Sequence, residues 1–479
     1  MSFSVAQNTT FLTVASVAQK IVSFVNFTVV ARMIGVGNTG SYFFALTFTT
    51  IFTVVADFGL GPILTREAAK FPDNTQQYFN VVFWSKIIFG IFAYALVILF
   101  CQVLNYSTEL KTLIYLSAVT MFFDNIQGAF FSIFRAKKNL VFESFAIVGA
   151  QLLTLVIGTT ALFLRAPLYW LILAYTIPSI VLVFVGGYAL KTKFNIKFEF
   201  LSNRKLLMNM LVMAIPFALS GIIGRLYSYS DSIIMSKLLT AKDMGWWSVP
   251  YKITFAFQFI PVALSASVYP AMSSLAVSEP EKIGELFSKA WRYLFIIVFP
   301  LSFGLSAIAE PVIMKLYGID YLPSVPVLRI LLLSLIFSYL SIISGSLLNA
   351  TGNQKIQTLI LAVSLVCNLA LNVYLIPNYG IIGAATAALT SNITLWALGV
   401  YFVRKKSFLY TRHLLGNGLH VLTLALFMSA VVYVLTPRFG FLLTIPIGAL
   451  IYLILLYITG IITKVNIYSV WNKIKVKKV

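Results

Sequence analysis

The chain has 479 residues, of which 60% are apolar and only 10% charged, and it carries a formal net charge of +21. Soluble domains carry about a quarter charged residues, so this composition excludes an ordinary water-soluble protein and makes the bilayer the solvent. The basic residues sit in short loops between apolar runs, where they set topology rather than bind nucleic acid, and two cysteines inside apolar runs exclude a disulfide framework.

Taken in chain order, apolar runs fall at 8–33, 40–65, 79–104, 110–134, 141–164, 167–190, 206–237, 245–272, 286–309, 324–349, 354–376, 380–403, 415–436 and 440–463. Each is long enough as a helix to cross about 30 Å of hydrocarbon. The expected fold is an all-α integral membrane protein of about fourteen transmembrane helices. The first run is longer than a signal-peptide core and lacks a small-residue cleavage site, so it is expected to stay in the mature chain. Loops after the even-numbered runs, together with the tail, hold about 23 Lys and Arg, against about 8 in the opposite loops. That bias places both termini in the cytoplasm of a cell-membrane protein. The basic tail WNKIKVKKV reads equally as a contact with anionic lipid or as a solvated end.

Shifting the chain over itself by 205 positions brings Lys20 onto Arg225, Ser23 onto Ser228, Asn26 onto Asp231, Arg32 onto Lys237 and Gly40 onto Gly245. Asp73 falls on Ser278, and each has a Gln or Glu three residues on, which predicts two capping boxes opening loop helices. Further along, the offset grows to 214 and aligns RAKKN at 135–139 with NATGN at 349–353. Both halves start from the same side, so they are parallel repeats of six helices. The expected organisation is an N-lobe at 1–190, a cytoplasmic linker at 191–205, a C-lobe at 206–406, two extra helices at 407–463 and a basic tail at 464–479.

Among the charges that fall within the runs are Lys20, Asp57, Lys86, Asp124, Arg225, Asp231 and Lys252. Each would cost about 2.5–3.5 kcal/mol at the centre of a lipid-facing helix, so each needs a partner or a wet cavity. In the first run Ser16, Lys20, Ser23 and Asn26 or Phe27 recur at helical spacing, and Gly221, Arg225, Ser228 and Asp231 or Ser232 repeat the stripe in the seventh. One cation from each half at mid-depth predicts a site for an anion, with Arg matching a phosphate's fork and Lys supplying a point charge. The alternative is that these cations pair with Asp57, Asp124 or Asp231 and only lock helices together. Lys86 reads as a snorkelling residue near its helix start, and Lys252 as a cavity residue. Asp57 and Asp124 read equally as groups that take up H⁺ or Na⁺ and as counter-ions. Gly59, Gly61 and Pro62 weaken the end of the second run and predict a hinge. His413 and His420 form no ligand constellation, so no metal site is expected, and without a phosphate-cradling glycine loop or a catalytic triad no enzyme activity or cofactor is expected beyond ion coupling.

Three blocks carry a resemblance to a known family: GVGNTGSYFFALTFTTIFTVVADFGLGPILTREAAK at 35–70, GRLYSYSDSIIMSKLLTAKDMGWWSVPYKITFAFQFIPVALSASVYPAMS at 224–273, and LLNATGNQK at 347–355. The chain resembles bacterial polysaccharide flippases of the multidrug/oligosaccharidyl-lipid/polysaccharide exporter superfamily. The resemblance implies two pseudo-symmetric six-helix lobes around a central cleft, as in multidrug exporters of that superfamily, plus two C-terminal helices. It also implies movement of a polyprenyl-diphosphate-linked oligosaccharide from the cytoplasmic to the outer leaflet by alternating access, working beside a polysaccharide polymerase and ligase. Lys20, Arg225 and Lys252 fall on helices that line that cleft in the family, with Asn26, Asp57, Asp124 and Asp231 as lining or coupling groups. Lipid II flippases of the same superfamily tend to carry several Arg in the first helix, where this chain has Lys20 and, at the exit, Arg32. A cation-coupled multidrug exporter would need an acidic cavity for organic cations, and a membrane glycosyltransferase a larger polar loop than the roughly 15 residues found here.

Overall fold

A computed structural model of the chain describes residues 5–200, 203–406 and 411–461. The expected basic tail at 464–479 lies outside the described residues. The helices in order are α1 (Val5–Asp57), α2 (Leu60–Lys70), α3 (Thr75–Val103), α4 (Thr108–Ala136), α5 (Leu140–Phe163), α6 (Tyr169–Phe194) and α7 (Arg204–Leu238). They continue as α8 (Ala241–Phe257), α9 (Phe259–Ser278), α10 (Ile283–Ala307), α11 (Ala309–Leu316), α12 (Ser324–Ala350), α13 (Gln354–Lys406) and α14 (Thr411–Ile458). Among the described residues, ten helical stretches are long and apolar enough to cross a membrane. The all-helical membrane fold expected from composition is therefore present.

Helix boundaries depart from fourteen separate spans. α1, α13 and α14 each hold two of the expected runs, interrupted by a single glycine at Gly35, Gly380 and Gly440. Gly35 has φ 77°, a value that side chains disfavour, so one residue does the work of a loop. The second expected run stops at Asp57, and α2 follows after Phe58 and Gly59 at φ 45° and 73°. The eighth is divided at Gln258 into α8 and α9.

The chain forms two compact units, Met1–Ala256 with Asn368–Ala384, and Phe257–Cys367 with Ala385–Val479. In the first, Leu60, Ile63 and Leu64 of α2 close on Phe79 and Val82 of α3 and on Phe130, Ile133 and Phe134 of α4. In the second, Phe287, Trp291, Leu294 and Val298 of α10 pack with Tyr339 and Ile343 of α12 and Tyr452 and Leu456 of α14. The Tyr339 hydroxyl donates to the Phe257 carbonyl at 2.6 Å, and that of Tyr452 to the Ile296 carbonyl at 3.1 Å, so buried polar tips find acceptors.

The expected capping boxes are not formed. Asp73 lies in a short 3₁₀ turn and caps nothing, and the Ser278 hydroxyl donates back to the Ser274 carbonyl within α9. Gln76 instead binds the linker: its amide nitrogen donates to the Lys197 carbonyl, and its amide oxygen accepts from the Lys197 N–H at 3.0 Å. Phe198 then sits 5.4 and 5.2 Å from the Phe79 and Phe83 rings, and Trp84 donates to the Glu199 carbonyl at 3.1 Å. Residues 196–200 are thus a strap bound along α3.

The second half of α1 crosses α8 at backbone contact. A Cβ built on Gly40 would lie 1.9 Å from the Ala241 oxygen, and one on Gly245 would lie 2.0 Å from the Val36 oxygen. These are the two glycines that the repeat superimposes. Gly245→Ala is expected to cost at least about 1–3 kcal/mol by overpacking, lowering the thermal midpoint in detergent. Gly224→Ala, where no atom lies within 4 Å, serves as the control. Equal melting of the two variants would show that the crossing tolerates a methyl group.

Candidate functional site

Lys20 and Phe27 are seven residues apart on α1, two turns along one face; Lys252 and Phe255 are three apart on α8. The structure brings these four together in a crossed arrangement. The Lys20 ammonium lies over the Phe255 ring at 5.3 Å from its centroid, and the Lys252 ammonium lies over the Phe27 ring at 5.4 Å. Phe27 is fully buried, whereas Phe255 is partly exposed and stacks on Tyr251 at 5.9 Å.

Arg225 and Asp231 of α7 both lie within electrostatic reach of the Tyr251 hydroxyl, next to Lys252 in sequence. They do not lock onto each other. Among the described residues neither takes part in an ion pair; the buried Asp231 carboxylate accepts from the backbone N–H of Ser232 at 2.6 Å and from its hydroxyl at 3.3 Å. Beside it, Ser230 donates to the Asn368 side-chain oxygen at 3.4 Å, and Asn372 donates to the same oxygen at 2.9 Å.

Asn26, the repeat mate of Asp231, turns elsewhere. Its amide nitrogen donates to the Tyr175 hydroxyl at 3.2 Å, while its buried amide oxygen has no protein partner. Tyr175 lines a cavity of about 230 Å³ enclosed by α1, α4, α5 and α6, along with Gln19, Asp124, Gln127, Gln151 and Ser179. Asp124 accepts from the Ser179 hydroxyl at 2.6 Å, and the buried Gln151 amide nitrogen is unpartnered within the protein. The cavity is therefore polar and roomy enough for water. Asp124 faces it from the middle of α4.

Asp57 is apart from both groups. It forms an ion pair with Lys86 of α3, whose side chain is only 2% exposed. The same ammonium donates at 3.2 Å to the carbonyl and to the side-chain oxygen of Asn125, and the Asn125 amide returns a bond to the Lys86 carbonyl at 2.9 Å. Snorkelling is thus incorrect for Lys86. It stands eleven residues after Thr75, about 16 Å along the helix, and three oxygens compensate its burial. The pair forms the floor of a cavity of about 490 Å³ with Arg66 and Arg135 also on its wall. Arg135 forks onto the buried Glu143, its Nε donating to Oε2 at 2.9 Å and its Nη2 to Oε1.

The bend near Asp57 lies at Phe58 and Gly59. A Cβ on Gly59 would meet the Ala214 carbonyl oxygen at 2.8 Å. Gly61 and Pro62 are the second and third residues of α2, where a missing proline N–H costs no hydrogen bond, so they open that helix rather than weaken one. Sequence reasoning missed Phe255, Asn125 and Glu143 as partners. All three become partners only through tertiary packing, Phe255 by facing Lys20 from another helix.

Fold and site together define a multi-pass membrane protein with ionisable groups held inside its helical units. A family model described as polysaccharide biosynthesis protein matches residues 5–276, more than half the chain, and a MatE family model matches 216–374. The chain belongs to the polysaccharide biosynthesis protein family. The putative O-antigen transporter of Shigella flexneri is 28% identical over 168 residues, 35% of this chain and 40% of that protein. The chain thus spans less than half the length of that relative. The capsular polysaccharide biosynthesis protein CapF of Staphylococcus aureus is 23% identical over 402 residues, 83% of this chain and 99% of that one. Among solved structures, the lipid II flippase MurJ in an inward closed conformation is similar with a TM-score of 0.76 at 18% identity, covering 93% of this chain and 97% of that chain. That likeness establishes a shared fold.

Lys86→Met is expected to destabilise the protein by about 3 kcal/mol, because it leaves a carboxylate without its cation. Adding Asp57→Asn should restore most of that loss in detergent unfolding experiments. A double variant no more stable than the single one would show that the pair does not act as a unit.

Proposed function

We propose that the protein is a flippase, not an enzyme, that moves a polyprenyl-diphosphate-linked oligosaccharide from the cytoplasmic to the outer leaflet of the cell membrane by alternating access. The observation that carries this reading is the apposition of Lys20 and Lys252 on facing helices, each against an aromatic face. Arg225, in no ion pair among the described residues, adds a third cation on α7. A diphosphate cannot enter hydrocarbon unaided, and such cations lower its barrier while the prenyl tail stays in lipid. Relatives named for O-antigen transport and capsular polysaccharide biosynthesis support the same substrate class, and the polysaccharide polymerase and ligase of such a pathway are the partners this reading implies. The loop charge bias supports cytoplasmic termini. A lipid II carrier is the second reading, favoured by the fold likeness to a lipid II flippase. A multidrug exporter fits poorly, since cations at the site repel cationic drugs.

Coupling to H⁺ or Na⁺ is assigned to Asp124 rather than Asp57. Asp57 is committed to Lys86, whereas Asp124 faces a polar cavity with Ser179 as its hydrogen-bond donor. The hinge is assigned to Phe58 and Gly59, with Gly61 and Pro62 setting the first turn that follows.

Lys20→Ala with Arg225→Ala is expected to abolish transfer of a defined lipid-linked oligosaccharide between liposome leaflets, with the protein still folded. Wild-type transfer would refute the cation site. Asp124→Asn should remove the dependence of transfer on an ion gradient, and a dependence that survives would reject the coupling assignment.

A further inference from the structure

The cavity floored by Asp57 and Lys86 has no part in the proposed transport step, and it lies wholly within the first compact unit. Its wall and the groups paired with that wall carry three cations and three carboxylates: Lys86 with Asp57, Arg66 with Glu67, and Arg135 with Glu143. The site is close to neutral, which disfavours a plain anion and a plain cation alike. What the pairs leave over is polar at both ends. Asp57 gives Oδ1 to Lys86; among the described residues its Oδ2 accepts no hydrogen bond, and the side chain is 35% exposed. Arg66 donates through Nε to Glu67 at 2.8 Å and through Nη2 to the Met213 sulfur at 3.1 Å, while Arg135 donates through Nε and Nη2 to Glu143. The Nη1 group of each guanidinium has no acceptor among the described residues, and both side chains are half exposed.

The other lining groups keep this space open. Ser132 and Thr65 turn their hydroxyls onto the Gly61 carbonyl at 3.1 and 3.2 Å. A Cβ on Gly61 would lie 3.2 Å from Asp57 Oδ1 and 3.6 Å from the Ser132 hydroxyl oxygen, so the carboxylate is level with Gly61 and Ser132. Arg135 stands three residues beyond Ser132 on α4, about one turn nearer the end of that helix.

We infer that this cavity binds the headgroup of a zwitterionic phospholipid with a primary ammonium, of the phosphatidylethanolamine type. The ammonium sits on Asp57 Oδ2 and the phosphate between the Nη1 groups of Arg66 and Arg135. In such a headgroup two carbons and an ester oxygen separate nitrogen from phosphorus, a reach of about one helix turn, which matches the step from Ser132 to Arg135. A guanidinium edge fits phosphate oxygens, and a primary ammonium donates to a carboxylate where a trimethylated one has no N–H to give. A neutral ligand in a neutral site leaves no charge uncompensated. The depth also fits a headgroup: Arg66 and Arg135 lie in the last turns of α2 and α4, with Lys70, Lys137 and Lys138 next along the chain and the apolar Pro62 exposed beside the cavity.

The test titrates the full-length protein, delipidated in detergent, with palmitoyl-oleoyl phosphatidylethanolamine, phosphatidylcholine or phosphatidylglycerol, and counts bound lipid by native mass spectrometry. The ethanolamine lipid should bind about tenfold more tightly than either of the others, the loss expected when a hydrogen bond to a charged group is removed. The Asp57→Asn, Lys86→Met double variant, which keeps the floor neutral, should bring the ethanolamine and glycerol lipids to within about twofold of each other. Arg66→Gln, at a half-exposed side chain, should weaken both lipids by about fivefold. Equal binding of the three lipids by the wild type, or a preference for the glycerol lipid, overturns the inference. So does an ethanolamine preference that survives in the double variant. Should that variant not fold, Arg66→Gln decides, since binding as tight as wild type removes the phosphate from its proposed place. Soluble phosphoethanolamine that binds as tightly as the lipid would also overturn it, by moving the ligand out of the bilayer.

Discussion

Everything in this molecule answers to one constraint: a charge inside a bilayer must be met by a partner. Seven intramembrane charges at about 2.5–3.5 kcal/mol each would sum to more than the roughly 5–15 kcal/mol by which native proteins are stable. The structure resolves them in chemically different ways. Lys86 is saturated by a carboxylate and two amide-group oxygens. Asp231 folds onto the amide and hydroxyl of its own neighbour, and Asp124 faces a cavity with a serine as donor. Lys20 and Lys252 face aromatic rings. These solutions are not equivalent. A saturated ion pair neutralises its cation, whereas an aromatic face attracts one without neutralising it.

That difference sorts the ionisable groups by role. The Asp57–Lys86 pair ties the end of α1 to α3 beside the left-handed step at Phe58 and Gly59, so it acts on backbone geometry. The crossed lysines meet aromatic faces instead, and they are the groups proposed to meet the anion. Both depend on helices approaching closely, and in lipid that approach comes from small residues rather than from a hydrophobic drive.

Much of this was legible in the chain. Composition and run length point to an all-helical membrane fold, and the offset of 205 pairs Gly40 with Gly245, the two glycines at the crossing of α1 and α8. Helical spacing pointed to Lys20 and Arg225, and Lys252 drew notice as a charge about one turn inside its apolar run. Other features depend on information that spacing does not hold. Lys86 read as a snorkelling residue because its helix starts four residues earlier than the apolar run, and Asn125 lies 39 positions away along the chain. Asp73 and Gln76 fit a local capping pattern, but Gln76 satisfies a linker backbone 121 residues on. The glycines that join paired spans at 35, 380 and 440 looked like ordinary loop residues, because a single positive φ leaves no compositional trace beyond the glycine itself.

The first compact unit includes residues 368–384, which follow its main body after a gap of more than a hundred residues. A ribosome therefore delivers nearly all of this unit and then a stretch of the other before the final piece arrives. Until then Ser230 lacks Asn368 as its acceptor, and the side of α7 carrying Asp231 stays unsealed. During biogenesis the nascent protein must hold a polar helix face in an incompletely assembled bundle, a window in which membrane insertion machinery or a chaperone has something to shield.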